Sequence, residues 1–174
     1  MGTQGRGAHA ILIAGFLYGF SALAAADQTP GWHLLRTANP RGGLDLVAMS
    51  HTADMARSDL QLAGLLLRCH DAGVEVAIVV VSPFSPHAQP SVTIGADGQE
   101  WHFETRVLSP GAELLLPPEA ANLAAGPWQS AHKLSVKVSS QEQSFAGIIP
   151  IDGLTAALAT LAASCPVGPA ETTK

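Results

Sequence analysis

Two apolar runs lie almost back to back in the middle of the chain, and they restrict the fold more than any other feature. Residues 62–70 read LAGLLLRCH and residues 73–81 read GVEVAIVVV, with only Asp71 and Ala72 between them. So short a connection is typical of an antiparallel hairpin. Because both runs are apolar on their two faces, we expect them to be central strands that are covered on each side.

Alternating apolar and polar residues predict further strands on either side of this pair. Asp97 and Gly98 form a strong two-residue hairpin signal. Just after it, Trp101 and Phe103 alternate with polar residues, which is typical of a strand with one buried face and one solvent-exposed face. The further strands are predicted at 32–37, 43–51, 91–95, 99–106, 112–116, 132–140 and 143–150.

The end of the chain changes period, which indicates an α-helix. Apolar residues spaced by 3, 4, 3 and 4 positions form one stripe, namely Ile151, Leu154, Leu158, Leu161 and Cys165. Asp152 is expected to cap this helix and Pro166 to end it. A brief helix is also predicted at 117–126. The predicted fold class is therefore mostly β, an antiparallel, β-sandwich-like body with a C-terminal α-helix packed on the sheet.

The first residues have the composition of an export signal. Arg6 supplies positive charge, residues 10–20 are apolar, and Ala24 and Ala26 match a signal-peptidase site. An uncleaved N-terminal anchor is the alternative, although the apolar run is shorter than the roughly 20 residues that span a bilayer. We predict a periplasmic or secreted bacterial protein with a cleaved signal peptide (1–26), a single β-rich domain (27–166) and a disordered tail (167–174).

The chain has two cysteines, Cys69 and Cys165. Strand alternation places Cys69 on one face with Leu65 and Leu67, and the helical stripe places Cys165 on the face that must be buried. If the helix packs across the sheet, the two sulfur atoms meet, and an oxidising compartment favours a disulfide bond. We expect this bond to tether the helix to a central strand. Two buried free thiols are the alternative, and a redox-active pair is less typical because such cysteines normally form C-x-x-C.

The second half of the chain resembles a known family. Its L-x-R-C strand, the strand that contains Phe145, and the closing GL-x-x-AL-x-x-L-x-x-x-C pattern are similar to small exported proteins associated with type VI secretion. These are proteins of the VasI/TagO type and related uncharacterised periplasmic proteins, and the resemblance covers about residues 65–165. It implies a mostly β domain with a disulfide-tethered helix and an accessory role at the cell envelope, and it brings no catalytic residues.

The charge balance argues against two classes of partner. The net charge is -5, and 13% of residues are charged, against about 25% in a typical globular domain. Because basic clusters are missing, we expect no binding to nucleic acid and no attraction to anionic membranes. We also expect no membrane insertion after the signal is cleaved. A protein or an envelope component is the expected partner, and the oligomeric state stays open.

Candidate binding residues lie on the first central strand, in the Pro-rich connection 82–90 and near the Asp-Gly hairpin. Arg68 is a charge on an apolar strand, so its guanidinium needs a carboxylate such as Glu75 or an anionic ligand. His70 follows it on the same face. The candidate binding residues are therefore Arg68, His70, Trp101, Phe84 and His87.

The histidines carry no recognised metal spacing. Six follow the signal peptide, at His33, His51, His70, His87, His102 and His132. We expect them to be ordinary exposed histidines. A three-ligand surface site formed by His51, His70 and Asp71 is the alternative.

Catalytic patterns are also missing from the sequence. It contains no nucleophile elbow and no glycine loop with phosphate-binding spacing. Glu100 and Glu104 would lie about 13 Å apart on one strand, farther than the carboxylates of glycosidases. Trp32, Trp101 and Trp128 are expected at the core, with a ligand groove as the alternative. We predict no catalytic residue, no metal and no cofactor.

These observations favour a non-enzymatic, exported accessory or binding protein of the cell envelope. Exposed strand edges and the 82–90 connection are the expected contact surfaces, since loops on a stiff β body often carry recognition. One alternative is an inhibitor of a secreted hydrolase, with the 82–90 connection inserted in the enzyme's cleft. A hydrolase with a composite site and a subunit that is stable only within an assembly are the others.

Overall fold

The computed structural model describes residues 30–39, 44–70, 73–141 and 143–165. Within these ranges the chain forms two antiparallel sheets, which confirms the predicted fold class. The large sheet has the order β1-β2-β3-β4-β8-β7 and the small sheet the order β10-β9-β5-β6. The elements are β1 Trp32–Thr37, β2 Leu46–Thr52, β3 Leu62–His70, β4 Gly73–Val80, β5 Ser91–Ala96, β6 Gln99–Glu104, β7 Arg106–Leu108, β8 Glu113–Leu115, α1 Glu119–Ala124, a 3-10 turn Pro127–Ser130, β9 Lys133–Ser139, β10 Ser144–Pro150 and α2 Leu154–Ser164.

Some expectations fall on other parts of the chain. The predicted signal peptide (1–26), Asp71 with Ala72, and the predicted tail (167–174) lie outside the described residues. Among the helices that are described, none is both long enough and apolar enough to cross a membrane.

The two apolar runs form β3 and β4 in the middle of the large sheet. The strands pair antiparallel along nearly their whole length. On the inner face, Leu65, Leu67 and Ile78 are completely buried. On the outer face, Arg68 lies opposite Glu75. The pair therefore has an apolar inner face, and one end of its outer face carries opposite charges.

The small sheet covers the inner face of the large sheet, with β10 packed against β2 and β3. The inward residues of β9 are buried as predicted, namely Leu134, Val136 and Val138. Trp128, in the 3-10 turn, is completely buried, and the half-buried Trp101 meets its ring nearly edge-on at 6.2 Å between centroids. The core is one continuous cluster between the two sheets.

The outer edge of β10 is covered by the connection between β2 and β3. The Asp54 amide donates to Ile148 O at 2.8 Å, and the Asp59 amide donates to Ala146 O at 2.9 Å. Gly147 permits this close approach, because a Cβ there would lie 2.4 Å from the Cβ of Ser58. The connection thus satisfies backbone groups that an uncovered sheet edge would expose to pairing with another chain.

The strand predicted at 99–106 is wrong in one respect, because it is two strands in different sheets. The chain leaves the small sheet at Thr105 and enters the large sheet at Arg106. The Thr105 amide and hydroxyl both donate to Pro90 O, at 3.2 Å and 2.7 Å. Two bonds to one carbonyl hold the chain at the corner where it changes sheets.

The predicted capping role of Asp152 is also wrong. Helix α2 begins at Leu154, and its N-cap is Gly153 in the left-handed conformation, with no side-chain cap. Instead, Asp152 Oδ1 lies 2.6 Å from His132 Nδ1, and the Asp152 carbonyl accepts a hydrogen bond from the Trp32 indole at 3.0 Å. Asp152 therefore connects the start of α2 to β1 and to the residue before β9.

The disulfide and the helix position agree with the sequence prediction. Cys69 and Cys165 are bonded, with their Cα atoms 5.6 Å apart. Helix α2 packs against β2 and β3 through its buried residues Leu154, Ala157 and Leu161. The bond therefore joins the C-terminal end of the helix to a central strand.

Replacing both cysteines with serine should lower the free energy of unfolding by about 4 kcal/mol in the chain-entropy model. The disulfide closes a loop with a sequence separation of 96, and its loss frees that part of the unfolded chain. Denaturant unfolding of the double variant and of the oxidised wild type measures the difference. The reduced wild type is the control and should resemble the variant, whereas equal stability in all three would contradict the prediction.

A second prediction concerns pH. The hydrogen bond and the charge of Asp152 raise the pKa of His132 above its ordinary value. Protonated His132 therefore adds stability that is fully present below the ordinary histidine pKa of about 6.5 and is lost as pH rises through the raised value. We expect His132→Gln to lower the melting temperature more at about pH 6 than at about pH 9.

His87→Gln is the matched control for this pH experiment. His87 is exposed, and among the described residues it has no ion pair. Its substitution should change the melting temperature equally at both pH values. A His132 variant that behaves in the same way would contradict the stabilising effect predicted for the bond between His132 and Asp152.

Candidate functional site

One concave site lies where β4 loses its neighbouring strand. Strand β8 pairs only with Ala77–Val79. The Leu116 amide still donates to Val76 O at 2.9 Å, and then the chain turns through Pro117 and Pro118 toward α1. The first half of β4 therefore has β3 on one side and no paired strand on the other. A cavity of about 550 Å³ opens there, and we call it the β4-edge cavity.

The β4-edge cavity has an apolar floor and a charged rim. Strand β4, the end of β8 and the turn into α1 supply the apolar residues, and His70 and the segment 104–106 supply polar groups. The apolar floor consists of Val74, Val76, Leu115, Leu116, Pro117, Pro118 and Ala121. The charged rim consists of His70, Glu75, Glu104 and Arg106.

Arg68 holds the carboxylate of Glu75 at one side of the cavity. Its Nε and Nη2 atoms donate to Glu75 Oε2 at 2.7 Å and 2.5 Å, and its Nη1 donates to Glu113 Oε2 at 3.2 Å. The Arg68 side chain is 28% exposed, and that of Glu75 is 22% exposed. Partial burial strengthens these charge-assisted bonds compared with pairs in open solvent. The salt bridge expected between Arg68 and Glu75 is therefore present.

The other polar side chains of the rim make fewer interactions. His70 Nδ1 lies 3.9 Å from Glu75 Oε1, and the His70 side chain is 54% exposed. Among the described residues, neither Glu104 nor Arg106 has an ion pair, and both are exposed. Arg106 thus presents a guanidinium beside an apolar floor, where a carboxylate on a ligand would complement it.

The structure separates the candidate binding residues of the sequence analysis. His70 lines the cavity, and Arg68 borders it through Glu75. Phe84 is 4% exposed and packs against Phe145, so its side chain belongs to the core instead of presenting a surface for contact. Trp101 packs beside Trp128, away from the cavity lining. His87 is exposed at the tip of the 82–90 connection.

The histidine expectation fails at His51, which is buried rather than exposed. Its ring lies 5.1 Å from that of Trp32, and its Nδ1 lies 3.0 Å from Thr52 O. His51 pairs with Leu65 and shares the inner face with it, while His70 lies on the outer face with Arg68. The alternative of a metal site at His51, His70 and Asp71 is therefore wrong, because His51 and His70 lie on opposite faces. In the described ranges, no three His, Cys, Asp or Glu residues are grouped to hold a metal ion.

Two of the three tryptophans lie in the core, and the third, Trp101, is partly buried and packs against it. Trp32 is 2% exposed and Trp128 is completely buried. The structure therefore supports the expectation that these residues belong to the core. Their size makes them major contributors to the apolar area that folding buries.

A second exposed surface lies at the edge of the large sheet formed by β1 and β2. Four leucines there are at least 40% exposed, namely Leu34, Leu35, Leu44 and Leu46. Strand β1 pairs on one side only, so its other edge presents backbone groups. This surface matches the expectation of an exposed strand edge.

The position of Arg106 in the rim was not predicted from the sequence. Arg106 lies in the short strand β7, which is distant in sequence from β4, and no spacing motif connects it to Arg68. One local signal was available: the turn-forming Pro117 and Pro118 end the neighbouring strand. Because β8 ends early, part of the edge of β4 has no paired strand.

Comparisons with known proteins add one distant similarity. No protein-family model matches the chain, and no curated protein matches it. A solved structure, invasion associated protein B from Bartonella henselae, is similar with 13% sequence identity and a TM-score of 0.47, over 76% of this chain and 91% of that chain. A similarity at this level assigns no function to the chain.

The ion pair beside the cavity can be tested with a double-mutant cycle. Substituting Arg68 and Glu75 by alanine, singly and together, should give a coupling energy of about 1 kcal/mol in denaturant unfolding, because the pair is partly buried. The matched control is Arg57 with Asp54, whose arginine side chain is 53% exposed. Its coupling should be smaller, and the reverse order would contradict the role given to burial.

Proposed function

We propose that this protein is an exported, non-enzymatic accessory protein of the bacterial cell envelope that binds a protein or an envelope component through the β4-edge cavity. The single observation that carries the proposal is the combination of an apolar floor with a charged rim in one concave site. Ligand pockets typically combine apolar walls with a few polar groups that fix orientation.

The state of the polar groups in the cavity favours binding over catalysis. Glu75 accepts two hydrogen bonds from Arg68, which hold its carboxylate in place. The Thr105 hydroxyl, which also lines the cavity, donates to Pro90 O at 2.7 Å. A nucleophile needs a base within hydrogen-bond distance to accept its proton, and here the acceptor is a carbonyl.

Two observations support a location outside the cytoplasm. Disulfides between distant residues form and persist mainly in oxidising compartments, and Cys69 and Cys165 are bonded. The composition of residues 1–26 is that of a cleaved export signal. The resemblance to type VI secretion-associated proteins makes components of the envelope secretion machinery the first partners to test.

The alternative of a hydrolase inhibitor has one observation in its favour. The 82–90 connection is anchored by the buried Phe84 and by the bond from the Phe84 amide to Gly111 O at 2.9 Å. Beyond this anchor, residues 85–87 are exposed. A loop that is fixed at its base and exposed at its tip is suited to enter a cleft.

A pair of substitutions on α1 tests the proposed function. Ala121 lines the cavity, and the next residue, Asn122, is exposed outside it. Ala121→Arg should fill the cavity and reduce capture of the partner from periplasmic extract at least tenfold, whereas Asn122→Arg adds the same charge to the same helix and should leave capture unchanged. Quantitative mass spectrometry of the captured material measures the effect.

Three results of this experiment would be decisive. Equal capture by both variants would rule out the β4-edge cavity as the binding site. If His87→Ala alone abolished capture, the 82–90 connection would be the contact surface and the inhibitor alternative would replace the proposal. Turnover of a substrate from a hydrolase panel, lost on Ala121→Arg, would make the cavity an active site.

A further inference from the structure

The backbone of β4 has an open edge inside the cavity. The residues of β4 that bond toward β8 include Val76, whose carbonyl accepts from Leu116, and Val80, whose amide donates to Ala112 O. In an antiparallel strand, residues two positions apart direct their backbone groups to the same side. Val74 therefore directs its N–H and C=O to that side as well, and β8 does not extend far enough to pair with it.

From this geometry we propose that the β4-edge cavity binds an extended peptide segment of the partner, which adds a short strand to β4 at Val74. The inference rests on the proposed function and names the partner's chemistry. The Val74 N–H and C=O would bond the peptide backbone, in the way that exposed sheet edges accept peptide strands. Because only this short part of the edge is open, the side chains of the peptide must supply the rest of the affinity.

The floor defines one required side chain of the peptide. It is built from aliphatic side chains and two prolines, with Val74 and Val76 on one side and Leu115 and Leu116 on the other. Burying an aliphatic or aromatic side chain there removes apolar surface from water, which favours binding. We therefore expect one large apolar residue in the segment.

The rim defines a second required group. Within the described residues, Arg106 has no ion pair, so a peptide carboxylate can bond to it without displacing another acid. Glu75 and Glu104 lie on the same rim and repel further negative charge. The structure thus favours a segment with one acidic group close to the apolar residue over a polyacidic segment.

The test uses the exported chain, purified with its disulfide intact, and a displayed library of random linear heptapeptides. We expect enriched peptides to carry one large apolar residue and one nearby Asp or Glu. Isothermal titration of a synthetic enriched peptide should show affinity that falls at least tenfold with Ala121→Arg and roughly three- to tenfold with Arg106→Gln. The controls Asn122→Arg and Arg36→Gln, an exposed arginine of β1, should leave the affinity unchanged.

Backbone methylation of the same peptide tests strand addition itself. An N-methyl group removes one amide donor without changing any side chain. Methylation of the amide that bonds to Val74 O should weaken binding about tenfold, because one hydrogen bond is lost and a methyl group is forced against the strand edge. Methylation of the two adjacent amides, which point away from β4, should have little effect.

Two outcomes overturn the inference. One is enrichment of no peptide whose binding depends on Ala121. The other is an enriched peptide whose affinity is equally insensitive to methylation at every position, since strand addition requires one sensitive amide. In either case the proposed function survives if Ala121→Arg still abolishes capture of a component from periplasmic extract while Asn122→Arg does not. Loss of that difference would remove the proposed function as well.

Discussion

The antiparallel register of β3 with β4 is the constraint on which the rest of the structure depends. It places Arg68 opposite Glu75 on the outer face and turns Cys69 to the inner face, where α2 packs. Because strand side chains alternate, a slip of one residue would expose the buried leucines of β3 and direct Cys69 away from Cys165. Burial of those leucines therefore specifies the register, and the disulfide adds a covalent tie across the same pairing.

The cavity is a consequence of how this pair is covered. Strand β3 accompanies β4 over its whole length, but β8 ends after Leu115. The next amide toward β4 after that of Leu116 would belong to Pro118, which has no amide hydrogen with which to bond Val74 O. The chain then forms α1, whose Ala121 becomes a wall of the cavity. One edge of a central strand is thus left open beside apolar side chains, while the connection between β2 and β3 covers the edge of β10. The contrast between these two edges is what makes the open one a candidate for recognition.

The success of the sequence predictions depended on how local each feature was. Alternation predicted β9 with its inward residues, and the spacing of apolar residues predicted α2, because those patterns are read within one element. The division of 99–106 at Thr105 was missed because its cause is a bond to Pro90, a residue of another segment. Asp152 was misassigned for a similar reason, since its side chain bonds to His132 and its carbonyl accepts a hydrogen bond from the Trp32 indole. His51 and Phe84 were expected at the surface, and packing by Trp32 and Phe145 buries them.

The sequence by itself determined the class of the fold, the central position of β3 and β4, and the two sulfur atoms that join a helix to a strand. The strands and the helix follow from periodicity, which is read within short segments. The disulfide follows from the presence of two cysteines, which can pair only with each other. Only the tertiary structure formed the β4-edge cavity. The floor and rim of the cavity combine Val74, Arg106 and Ala121, which are far apart in the chain and share no motif. A concave surface depends on where neighbouring segments end, and no local pattern of residues specifies that.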